Sequence, residues 1–168
     1  MREVIRKFKH LHLDQQSKER RKLDVRKLEA QEIDEAGQPI RALLFADFMT
    51  EYTCRTPFSK VTVKGDHFIT TRLCGIEVYC GPIKTVFIYR IDSLVSGGAN
   101  LMVEIVRQAL IDLLELLRNR GLRSPRTLGL QFDNCGENKN KEMFGYISVL
   151  IEDFIFDVIE VLDIIYHI

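Results

Sequence analysis

The stretch Thr127–Asn140, TLGLQFDNCGENKN, constrains the fold more than any other part of the chain. A short apolar run ends in an acid, Asp133, a single glycine breaks the chain, and a helix-forming segment follows. This is the pattern of a buried strand passing into a helix. A carboxylate at the carboxyl end of a strand in a mixed sheet is a standard anchor for a metal ion or ligand. A second acid, Asp47, ends the earlier apolar run Leu43–Ala46. Two acids so placed point to a metal-dependent phosphodiester site, although the same pattern supplies no third ligand.

The 168 residues suffice for one domain with its own core. An apolar fraction of 46% and a charged fraction of 29% belong to a soluble globular protein. The net formal charge is zero, so overall charge gives no argument for nucleic acid. The distribution is uneven. Residues 1–31 hold ten Lys/Arg against five Asp/Glu, a net of +5, and residues 137–168 hold two against seven, a net of −5. The basic end could lie along a phosphate backbone; a solvated helix face is the simpler reading.

Cys54, Cys74, Cys80 and Cys135 form no CxxC pair, and no histidine stands at zinc-finger spacing from them. Cys74 and Cys80 lie in an apolar strand region and read as buried thiols of a reducing compartment. The start, MREVIRKFKH, lacks the apolar run of a signal peptide. The apolar tail from Met143 is interrupted by Glu152, Asp153, Asp157, Glu160 and Asp163, which would be costly in a bilayer. The expectation is an intracellular protein with no membrane partner and with a nuclear location open to it.

Residues 12–31 suggest an exposed helix, and residues 1–40 a basic, helical N-terminal segment ahead of a domain over 41–168. Residues 34–40 read as a turn, 41–48 as a strand, and 50–57 as irregular. Val61–Val63 reads as a strand continuation, and residues 68–91 as a hairpin turning at Gly81-Pro82. Asn100 is placed to cap a helix to about Arg120, with Met102, Ile105, Val106, Ala109, Leu110, Leu113, Leu114 and Leu117 at helical spacing and Gly121 to end it. A strand over 127–133, a helix over 137–156 and a strand over 158–166 complete the order. The last two strands, joined by a helix, should be parallel, and the early strands antiparallel. The fold class is therefore α/β, a mixed sheet with packed helices.

Phosphodiester chemistry can use two divalent ions about 4 Å apart. Hard ions such as magnesium take carboxylate and water oxygens from rigid elements. Asp47 and Asp133 both end apolar strands, but spacing alone does not make those strands neighbours. Asp133 could equally cap the following helix, and Asp47 could be a polar strand end. Asn134, Asn138 and Lys139 add donors near a helix start, where phosphate binds well, or serve as plain capping and solvation. GENKNK lacks the Gly-Lys-Ser/Thr ending of a P-loop, so nucleotide hydrolysis of that type is excluded. His10 and His12 could share one side of an extended segment; with His67 and His167 they read as ordinary histidines. No nucleophile elbow, GxGxxG or HExxH occurs.

The run LQ-x-DN-C-G-ENKN within Thr127–Asn140 is similar to a signature of transposase-derived domains, widespread in eukaryotic genomes, of the ribonuclease H-like superfamily that includes integrases and DDE/DDD transposases. Asp47 with Pro57 ten residues on resembles the family's first acid strand and trailing proline. Cys74–Val78 (CGIEV) with the later FIYRID resembles its strand pair, and Gly98-Ala99-Asn100 its helix start. The resemblance covers residues 40–168 in order, with ENKN its most specific part. It implies a ribonuclease H-like sheet with the Asp47 strand central and the Asp133 strand beside it. It also implies that Asp47 and Asp133 are the first two catalytic acids, binding Mg2+ or Mn2+, with DNA as candidate substrate. In the family the last strand leads to a His-Thr-His-type motif and the third acid; here the sequence reads Tyr166-His167-Ile168. The expectation is a truncated domain whose ancestral activity is metal-dependent phosphodiester hydrolysis or strand transfer, inactive alone. The alternative is a non-catalytic nucleic-acid- or protein-binding module domesticated from a transposable element.

Overall fold

The computed structural model describes residues 2–54, 69–92, 98–132, 141–153 and 155–163. Helix α1 (Arg2–Glu29) leads into strands β1 (Arg41–Cys54), β2 (Ile69–Cys80) and β3 (Ile83–Asp92). Helix α2 (Ala99–Asn119), strand β4 (Thr127–Phe132), helix α3 (Lys141–Glu152) and strand β5 (Val158–Asp163) follow. The five strands form one mixed sheet in the order β3-β2-β1-β4-β5. β1–β2 and β2–β3 are antiparallel, whereas β1–β4 and β4–β5 are parallel. The α/β class, the hairpin and the late parallel pair agree with the sequence reading.

The sheet has two unequal faces. On one, Ala42, Leu44 and Ala46 of β1 join Cys74, Ile76 and Val78 of β2 and Leu128, Leu130 and Phe132 of β4 beneath α2 and α3. The seven positions Met102, Ile105, Val106, Ala109, Leu110, Leu113 and Leu117 of α2 are all buried there, as helical periodicity requires. Each such Leu or Ile contributes about 1.5–3 kcal/mol by leaving water. Burial also pushes the Cys80 thiol up to about 12, which makes it an unreactive filler of this core.

On the other face α1 lies against the sheet. Ala30 packs with Leu43 and Tyr79, with Leu23 at the margin. This apolar contact is small, and charged groups complete it. Lys27 Nζ meets Glu77 Oε2 at 2.9 Å and lies over the Tyr79 ring at 5.0 Å, while the Tyr79 hydroxyl donates to the same Glu77 oxygen at 2.9 Å. Arg41 forks between Glu29 of α1 (3.2 Å) and Glu160 of β5 (3.5 Å).

Several boundaries differ from the sequence reading. α1 begins at Arg2 rather than near residue 12, because no glycine or proline interrupts the chain before Gly37. His10 and His12 therefore sit two apart on a helix, where positions do not share a face. β1 continues through residues 50–54, read as irregular; the irregularity is a register shift between Met49 and Tyr52, after which pairing with β2 resumes. Gly98, not Asn100, caps α2, with no side-chain capping bond. Gly121, at φ 69°, does end it: the Gly121 N–H donates to Arg118 O and the Leu122 N–H to Leu117 O, the two bonds of a Schellman motif. α3 stops at Glu152 instead of 156, so that Phe156 can enter the core before β5 starts. Val61–Val63, the helix start at 137–140 and the strand end at 164–166 lie outside the described residues.

The β2–β3 turn joins these parts. Gly81 takes φ 53° ahead of Pro82, as a two-residue turn with glycine first requires. Its N–H donates to Ala30 O at 2.7 Å, and a Cβ there would come within 3.0 Å of Pro39 Cβ and 3.2 Å of Ile33 Cγ2. Pro39 and Ile33 are themselves held by a β-bridge, around a turn in which Asp34 Oδ1 accepts from the Ala36 and Gln38 N–H groups. Gly81→Ala is expected to cost about 1–3 kcal/mol, from the left-handed backbone and the crowding together. A urea titration checks this through a lower midpoint at unchanged slope.

The Glu77 cluster gives a pH-dependent test. Burial by itself would raise the Glu77 carboxyl, but hydrogen bonds from Lys27 and Tyr79 outweigh it and hold the group below its ordinary value. A depressed carboxyl stabilises the fold above its unfolded pKa, and the stabilisation is lost as pH falls through the lower folded value. Lys27 behaves inversely: burial alone would lower it, its bonds to Glu77 and Tyr79 raise it, and its contribution is lost only as pH rises through that raised value. Glu77→Gln should cost about 0.5 kcal/mol near pH 7, a figure kept small because the Glu77 side chain is 39% exposed. The gap from wild type should narrow in paired denaturation curves as pH falls below the ordinary glutamate range.

Candidate functional site

The parallel contact between β1 and β4 places the candidate site. Six successive pairs run from Arg41↔Thr127 to Ala46↔Phe132. Asp47 is the next residue after Ala46, and Asp133 the next after Phe132. The two strands that sequence spacing alone could not make neighbours are neighbours, in parallel, and in register up to the residue before each acid. β1 is central in the sheet. Asp47 is still within β1, where it pairs with Gly75 of β2. A Cβ built on Gly75 meets nothing within 4 Å, so there is open space at the strand position beside Asp47.

The backbone of Asp47 is described. Asp133, Asn134, Asn138 and Lys139 lie outside the described residues, and with them the helix-start donors. Carboxylate oxygens are the donors a hard divalent cation prefers, so the pair of acids fits such an ion by chemistry. Among the described residues, no group of three or more His, Cys, Asp or Glu could hold a metal ion.

Sequence reasoning singled out no role for Gln131. It is 2% exposed, the only polar residue among the fully buried side chains described, and its Oε1 has no hydrogen-bond partner among the described residues. In register it sits opposite Phe45, two residues before Asp133. An unmatched buried acceptor costs about 1–3 kcal/mol. The signal was present: TLGLQF is apolar throughout except for Thr127 at its edge and this glutamine, in a strand buried on both faces.

Asp153 and Asp157, which precede β5, do not complete the site. Asp157 Oδ2 accepts from Arg126 at 3.3 Å, and its N–H donates to Arg126 O at 2.8 Å. That fixes Asp157 at the amino ends of β4 and β5, on the order of 17 Å along the strands from their carboxyl ends. A cleft at this far end is lined by Asp34, Gln38, Arg123, Arg126 and Asp157. Its arginines are occupied by Asp34 (3.2 Å) and Asp157, so it offers little charge to a ligand.

No helix among the described residues is long and apolar enough to cross a membrane. No curated protein and no solved structure matches the chain. Residues 62–166, which contain β2 to β5 with Gln131 and Asp133 but not Asp47, match a family described only as a domain of unknown function. The match takes in well over half of the 168 residues, and the chain belongs to that family, DUF7869.

Proposed function

We propose that the chain is a ribonuclease H-like, transposase-derived domain whose chemistry is metal-dependent hydrolysis or strand transfer at DNA phosphodiesters. One observation supports this reading: β1 and β4 are parallel neighbours in register to Ala46↔Phe132, the residues that precede Asp47 and Asp133 in the sequence. The strand order supports it, since the resemblance requires the Asp47 strand at the centre with the Asp133 strand beside it. The buried Oε1 of Gln131, without a partner among the described residues, supplies a further oxygen near the carboxyl end of β4.

In this reading Asp47 and Asp133 hold Mg2+ or Mn2+, and the ion supplies positive charge against the attacking and leaving oxygens. Asn134, Asn138 and Lys139 orient the phosphate through donors at the start of the following segment. Gln131 positions the acids' end of β4 and keeps a polar atom available there. Two carboxylates bind a hard cation weakly, so this chain alone should nick DNA little or not at all.

A second reading has one observation of its own. Lys18, Arg20, Arg21 and Lys22 of α1 are all exposed, a basic surface suited to a phosphate backbone without catalysis. Salt-dependent DNA retention that survives Asp47→Ala would favour this binding module over the enzyme.

Titration with Mn2+, followed by loss of the free-ion paramagnetic signal, tests the leading reading. Asp47→Asn and Asp133→Asn are each expected to weaken binding by at least about tenfold. Binding indifferent to both substitutions would contradict the site. Gln131→Leu separates structure from function: it removes an unmatched acceptor and should leave stability unchanged or raise it by about 1 kcal/mol in thermal melts, while weakening Mn2+ binding. A large loss of stability would show that Gln131 is a structural residue.

A further inference from the structure

Helix α1 lies on the sheet face opposite the main core, and its contacts fix its direction. Ala30 O accepts the Gly81 N–H at the β2–β3 turn, and Ala30 packs with Leu43 of β1 and Tyr79 of β2. One turn back, Lys27 Nζ lies 5.8 Å from the centre of the Phe45 ring and 2.9 Å from Glu77, the residue that pairs with Phe45. Moving towards the start of α1 therefore moves towards the carboxyl end of β1. Ala30, Lys27, Leu23 and Glu19 share one helix face, at spacings of three and four. The burial agrees: Leu23 and Glu19 are half-buried, while Ser17, Lys18, Arg20, Arg21 and Lys22 are all exposed.

At Glu19 this stripe reaches the level of Asp47. Glu19 precedes Ala30 by about 16 Å of helix, and Asp47 follows Leu43 by about 13 Å of strand. Glu19 Oε1 accepts from Gln15 Nε2 at 3.3 Å, but Oε2 is buried with no hydrogen-bond partner among the described residues. A carboxylate oxygen shut off from water and from donors is costly unless a cation meets it. A second observation is independent of the first. Leu128, Leu130 and Phe132 fill the main core, so Gln131 between them turns to the α1 face, at the level of Phe45. Its buried Oε1 is the other such atom without a partner among the described residues. Two unmatched oxygens on one face, one of them charged, call for positive charge.

We propose that Glu19 is a further acidic ligand of the divalent-cation site at the carboxyl end of β1, supplied by α1. The inference rests on the Asp47 site proposed above. Glu19 contributes charge, and Gln131 bonds to the water shell, since a hard ion such as magnesium keeps several of its waters. Because Glu19 lies outside the family match at residues 62–166, ion binding comes to depend on the docking of α1. Glu19 adds affinity rather than turnover: a ligand on a helix docked by few contacts holds an ion less rigidly than one on a strand.

Mn2+ titration of the full chain, read from the free-ion paramagnetic signal, tests this. Glu19→Gln keeps the side-chain shape but removes the charge, and is expected to weaken binding by about tenfold or more. Asp24→Asn removes the same charge from the exposed side of α1 and should change binding by no more than about twofold. In the wild-type chain labelled with 15N, substoichiometric Mn2+ should broaden the Glu19 amide together with that of Asp47 and before that of Glu29. If Asp47→Asn weakens binding while Glu19→Gln matches Asp24→Asn, Glu19 is no ligand and the Asp47 site stands without it. Broadening of Glu29 before Glu19 would overturn the inference in the same way. A wild-type chain that binds no Mn2+, or binds it regardless of Asp47→Asn, would overturn the site itself and this inference with it.

Discussion

The parallel pairing of β1 with β4 is the interaction on which the rest of the structure depends. β1 is buried on both faces, with Ala42, Leu44 and Ala46 towards α2 and α3 and Leu43 towards α1. β4 is buried from Leu128 to Phe132 without a break. A slip of one residue would send Leu44 and Leu130 to the α1 face and Gln131 into the main core, so the register is fixed by the apolar pattern of both strands. Everything at the carboxyl ends of these strands inherits that register. A parallel pair also needs a long connection, and α2, with β2 and β3, supplies it.

The α1 face is held differently. Among the described side chains its apolar contact consists of Leu23, Ala30, Leu43 and Tyr79, and its polar contacts are Lys27 with Glu77 and Tyr79, and Arg41 between Glu29 and Glu160. Half-exposed ion pairs contribute little each. They nonetheless fix orientation: Lys27–Glu77 ties α1 to β2, Glu29–Arg41 ties it to β1, and Arg41 reaches on to Glu160 of β5. The Gly81 turn adds a backbone bond to Ala30 that no side-chain change can remove. The two faces therefore differ in kind, one a packed core and the other a small set of directional contacts.

Much of this was legible in the sequence where the signal is local. The α2 periodicity, the Gly121 stop and the Gly81-Pro82 hairpin each rest on residues close in the chain. Where local signals competed, the reading slipped. Asn100 is a better capping residue than Gly98, yet the helix starts two residues earlier than an Asn100 cap would place it and takes its cap from the glycine. Residues 50–57 read as irregular because Pro57 is awkward in a sheet, yet residues 52–54 pair with β2 after a register shift. The extent of α1 was missed because its apolar positions are sparse. The neighbourhood of β1 and β4 joins residues 86 apart in the chain (132 − 46), and no spacing rule could give it; only the resemblance to transposase-derived domains implied it. Gln131 was visible as a polar residue in an apolar strand, but its significance depends on both faces being covered, which is a property of the tertiary fold.

The central claim is that Asp47 and Asp133 share one cation. Mn2+ added in substoichiometric amounts to 15N-labelled protein broadens amide signals close to the bound ion. The account predicts that signals of Ala46, Asp47, Gly75 and Phe132 broaden together, before those of Asp153 and Asp157 at the far end of the sheet. Broadening that begins at Asp153 and Asp157, or that reaches residues beside Asp47 without reaching Phe132, would contradict it.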